Sequence, residues 1–94
     1  MIFHILKRSE WEAALERKTY APLSLASEGF IHCSFKGQLA GSAERHFRGQ
    51  SDLVMLRIDV QRLKAPIKIE AGFPHIYGPL NLDAVLETID FLRR

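Results

Sequence analysis

Cysteine is almost absent from this chain of 94 residues. The single Cys33 excludes an internal disulfide and fits a reducing compartment, so a cytoplasmic protein is expected. Long apolar runs are missing too, and none approaches the roughly 20 residues of a membrane span. The opening MIFHILKRSEW breaks its apolar run at His4 and offers no small-residue cleavage site, which argues against a secretory leader. Charge of one sign is also lacking: thirteen Lys and Arg face eleven Asp and Glu, for a net charge of +2. The basic doublets Lys7-Arg8 and Arg93-Arg94 make no run, so composition gives no basic face to hold a nucleic-acid backbone. There is no Gly-x-Gly-x-x-Gly loop, which excludes a Rossmann mode of dinucleotide binding. No Cys-x-x-Cys or His-Glu-x-x-His spacing marks a metal site, and no nucleophile-elbow motif marks a hydrolase.

What remains is an ordinary globular composition, 47% hydrophobic and 26% charged, with no repeat, linker or low-complexity segment. Residues 1–94 make one domain. A chain of this size buries only about 60–65% of its unfolded surface, so nearly every apolar residue is needed for one core.

The elements read as α+β: a small split or mixed β-sheet with two helices. MIFHIL is a strand with Ile2, His4 and Leu6 on one face and Phe3 and Ile5 on the other. Ser9 and Glu12 form a capping box that opens a helix with Trp11, Ala14 and Leu15 on its apolar stripe. TYAPLSLASEG is a loop that turns at Glu28-Gly29. FIHCSF is a strand, with Phe30, His32 and Ser34 opposite Ile31, Cys33 and Phe35. A second helix covers residues 36–48, with Leu39, Ala43, His46 and Phe47 on one face. LVMLRID is a strand, DVQRLKAP a helical turn, and IKIEA a half-exposed strand. In GFPHIYGP, Pro74 restricts any strand to a short or edge position. Residues 82–84 then turn into a final strand.

Three histidines fall inside strands: His4, His32 and His75. A buried imidazole needs partners for both ring nitrogens, and alternation puts Ser34 beside His32 and Tyr77 beside His75. This set can line a pocket, or each histidine can be structural. Three imidazoles can also hold zinc, which leaves a metal-dependent enzyme as an alternative without local ligand spacing behind it. Cys33 and His46 read as packing residues.

The segments FHIL, EW, SLASEGFIHCS and FPHIYGPLNLDAV together resemble the bacterial family known as domain of unknown function 952, from about Ile2 to Val85. That family is similar in fold to ADP-ribosyltransferases, whose split sheets bind NAD between them, and the likeness is nearest the tRNA 2′-phosphotransferase branch. In that branch an N-terminal strand histidine is followed, past a helix and a turn, by a strand ending His-Leu-Ser. His4 matches the first, and His32-Cys33-Ser34 matches the second. The resemblance implies a small nucleotide-like ligand, NAD or an ADP-ribose-bearing compound, with His4 on a ribose hydroxyl and His32 and Ser34 on the nicotinamide side. The chain departs from the pattern in two places. The glutamate that active transferases carry on a later strand has only Glu70 in its region, beside His75 and Tyr77. The branch's arginines find no match in Arg45, Arg48 or Arg57. The reading is therefore His32 and His75 as catalytic candidates, and His4, Ser34, Tyr77 and Glu70 as ligand-binding candidates. A non-catalytic binding or regulatory module remains the alternative.

Overall fold

Apolar residues on both faces of the first strand require cover on both sides, and the computed structural model, which describes residues 1–92, supplies it. Strand β1 (Ile2–Lys7) pairs antiparallel with β4 (Leu53–Ile58), which pairs antiparallel with β8 (Val85–Leu92). Ile2, Phe3, Ile5 and Leu6 are all buried. A second sheet has the order β3 (Ile31–His32), β6 (Phe73–Ile76), β5 (Ile67–Glu70). A two-stranded ladder joins β2 (Thr19–Tyr20) to β7 (Leu80–Asn81). Every ladder among the described residues is antiparallel, so the sheets are split as expected but not mixed. The two larger sheets meet where Phe3 and Ser34 exchange backbone hydrogen bonds of 2.8 Å each.

Three α-helices are present among the described residues where the sequence predicts two. The first, α1 (Arg8–Arg17), starts one residue before the expected cap, and Ser9 caps nothing. Strand β1 runs straight into it, and the Arg8 N–H donates to the Asp52 carbonyl at 3.0 Å, so the capping box has no role. Trp11 and Ala14 are buried as the stripe predicts, whereas Leu15 is 52% exposed. The second, α2 (Leu23–Glu28), occupies the predicted loop. Its six residues are too few to show a periodic stripe. Gly29 closes it at a φ of 89°, and its N–H donates to the Leu25 carbonyl.

The helix predicted over residues 36–48 begins as a 3₁₀ turn, Lys36–Gln38, and continues as α3 (Leu39–His46). Ser42 is its buried residue, and His46 is exposed instead of packed. Further 3₁₀ turns at Val60–Arg62 and Leu82–Ala84 fall where turns are predicted. The Arg93-Arg94 doublet lies outside the described residues.

Strand β6 is short, as Pro74 requires, but central and not at an edge. The Cys33 N–H donates to the Pro74 carbonyl at 3.1 Å. Proline has no N–H to return, so the ladder ends there and β3 is two residues long. One core of Ile2, Leu6, Trp11, Ile31, Leu56, Ile76 and neighbours packs between the elements. No helix among the described residues is long and apolar enough to cross a membrane.

Candidate functional site

The seam between the two larger sheets opens into a cleft of about 450 Å³. Strand β1 contributes His4, β3 and the residues after it His32, Cys33 and Ser34, and β6 His75. Glu70 and Ser42 also line it. Tyr77 does not, although it keeps the expected side of the chain, its ring stacked 6.4 Å from that of His75.

His4 has both nitrogens engaged. Nδ1 lies 2.6 Å from the His32 carbonyl, which can only accept, so Nδ1 carries the proton. Nε2, 2.8 Å from the Tyr20 hydroxyl, then accepts from the phenol. Burial disfavours the imidazolium and pushes the His4 pKa down to about 4; the bond to the His32 carbonyl opposes this, and the His32 ring lowers it further. At neutral pH His4 is therefore an uncharged hydrogen-bonding group. Burial also pushes the Tyr20 phenol above its ordinary range, so it stays protonated and donating.

His75 is arranged differently. Its Nδ1–H donates to the Phe73 carbonyl at 2.8 Å, which leaves the Nε2 lone pair without a hydrogen-bond partner among the described residues. His32 Nε2–H points at the Glu28 carboxylate, 3.0 Å away, and its ring centre is 5.9 Å from that of His75. The hydroxyls of Ser34 and Ser42, both buried, bond to each other at 2.6 Å. Two O–H groups share that single bond, so one proton is left to offer a ligand. Glu70 accepts from the Tyr77 hydroxyl and bonds to no histidine among the described residues.

Sequence reasoning missed several members. Tyr20, Ser42, Arg45 and His46 line the cleft, and Phe30 holds its edge against His32. No spacing in the sequence marks them, because they come from separate elements and meet only through chain folding. His46, assigned to packing, stands 5.8 Å from the His32 ring, and burial, His32 and Arg45 lower its pKa while Glu28 raises it. Cys33 is core, as expected, and burial pushes its thiol up to about 12, which removes the nucleophilic thiolate. Among the described residues no three His, Cys, Asp or Glu side chains come together to hold a metal, so the strand histidines do not form a three-ligand site.

The family described as protein of unknown function (DUF952) matches residues 5–88. The crystal structure of protein CC0527 from Caulobacter crescentus is 35% identical, with a TM-score of 0.85 over 95% of this chain and 83% of that one. The solution structure of the same protein gives 33% identity and a TM-score of 0.77, over 97% and 84%. No curated protein matches the chain.

Proposed function

From the premise that the chain belongs to the DUF952 family, we propose that it is an ADP-ribosyltransferase-like protein that takes NAD or an ADP-ribose-bearing compound into the cleft. The observation that carries this reading is the convergence of His4, His32 and His75, from two sheets, on one cleft at the sheet seam. A cleft of about 450 Å³ suits part of a dinucleotide. The spare Ser34/Ser42 proton suits a carbonyl or phosphate oxygen. The Tyr20 oxygen, held by His4, suits a ribose hydroxyl, so His4 acts through the phenol.

His75 is the acid/base in this reading. The bond from the nicotinamide nitrogen to ribose C1′ breaks with its electron pair passing to the ring, which leaves neutral. An acceptor attacks C1′ and gives its proton to His75 Nε2. Nicotinamide release from NAD tests this: the wild type releases it, and His75→Ala slows release by about 10²–10⁴-fold. One observation favours a binding module instead. Glu70, the carboxylate in the region where transferases carry theirs, is tied to Tyr77. NAD bound without nicotinamide release would select that second reading.

A further inference from the structure

The sheet β3–β6–β5 buries one face and paves the other with rings. Ile31, Cys33, Pro74 and Ile76 turn into the core. On the opposite face the register sets His32, His75 and Lys68 in one row. Phe30 and Tyr77, two residues along the chain from His32 and His75, stand beside that row. The Phe30 ring centre lies 4.7 Å from His32, 4.6 Å from His75 and 5.6 Å from Tyr77. The solvent face of an antiparallel sheet is ordinarily polar; here Phe30, Phe73, His75 and Tyr77 are all partly exposed. Cations stand over the flanking rings, Lys68 Nζ 5.3 Å from the Tyr77 centre and the Arg45 guanidinium 5.1 Å from that of Phe73. His32 and His75 belong to the cleft lining as well, so face and cleft are continuous.

We infer that Phe30 and Tyr77 form a second subsite, outside the cleft, on which the nucleobase of a mononucleotide unit stacks. Exposed rings on a sheet accept a base through its π-face whatever its identity. Lys68, displaced from the Tyr77 ring, and Arg45 then meet the phosphate that links base to cleft. The subsite completes the dinucleotide proposed above and rests on that reading only for the half of the ligand in the cleft.

Isothermal titration with two probes separates the parts, AMP for the ring face and ribose 5-phosphate for the cleft. Tyr77→Leu and Phe30→Leu keep apolar volume and remove the stacking ring. Each is expected to weaken AMP binding by about 5- to 100-fold, and Tyr77→Leu, whose residue lies outside the cleft lining, to leave ribose 5-phosphate unchanged. Tyr77→Phe, which keeps the ring, retains AMP affinity, and far-UV circular dichroism checks that each variant is folded. AMP that fails to bind, or binds equally to all variants, overturns the subsite even if ribose 5-phosphate binds. AMP that needs Tyr77 while ribose 5-phosphate and NAD do not bind keeps the subsite and sinks the dinucleotide reading. An oligoadenylate that binds more than about tenfold tighter than AMP assigns the face to a polymer and overturns the inference.

Discussion

His4 shows how a single side chain ties stability to pH. Its folded pKa of about 4 lies below the ordinary 6.5, so between those values the unfolded chain binds the proton and the folded one does not. Stability rises with pH through that window. The contribution is complete above about pH 6.5 and is lost as pH falls towards 4, for a maximum of about 3 kcal/mol. Urea melts at pH 7 and about pH 4.5 check it against His4→Gln, which keeps a donor and an acceptor but does not titrate. The variant is expected to lose about 2–3 kcal/mol less on acidification than the wild type; parallel losses would mean that other groups govern acid sensitivity. The need of a strand histidine for partners was legible in the sequence. Its partners, Tyr20 and the His32 carbonyl, were not, because they lie 16 and 28 residues away.

Elements with enough length to express a period were legible, and short ones were not. The strands β1, β4, β5 and β8 and the turn at residues 82–84 fall where alternation and turn residues place them. The six residues of α2 and the two-residue strands β2 and β7 carry too little pattern, and tertiary pairing decides them. At this scale Trp11 and His32 separate packing from site. Trp11 fastens α1 to the core at 9% exposure, so Trp11→Ala is expected to cost about 3–5 kcal/mol. The His32 side chain is 45% exposed, paired with Glu28 at the surface and edge-on to the Phe30 ring, so His32→Ala should cost only about 1 kcal/mol. Thermal melts of the two variants decide; a His32 variant as unstable as the Trp11 one would make that histidine a structural residue and weaken its claim to the site.

For the whole molecule, a ligand that binds only the folded state adds to its stability by mass action. At one hundred times its dissociation constant the gain is about 2.7 kcal/mol, and in a domain near 94 residues that raises the melting temperature by about 10 °C or more. Millimolar NAD or ADP-ribose should therefore produce a shift of this size, and the residue chosen to abolish it matters. His4→Ala is a poor choice, since it strands the Tyr20 hydroxyl and the His32 carbonyl and lowers the unliganded melt on its own account. His75 keeps one nitrogen on the Phe73 carbonyl and leaves the other without a hydrogen-bond partner among the described residues, so its removal strands no side-chain partner, costs the fold about 1 kcal/mol for the ring contact with Phe30, and costs the ligand a contact. His75→Ala should thus melt only a few degrees below the wild type without ligand and show a reduced shift with it. The absence of any shift in the wild type would turn the cleft away from dinucleotides. A full shift in His75→Ala would keep the ligand and move its contact to another wall of the cleft, with the Ser34–Ser42 pair as the next donor to remove.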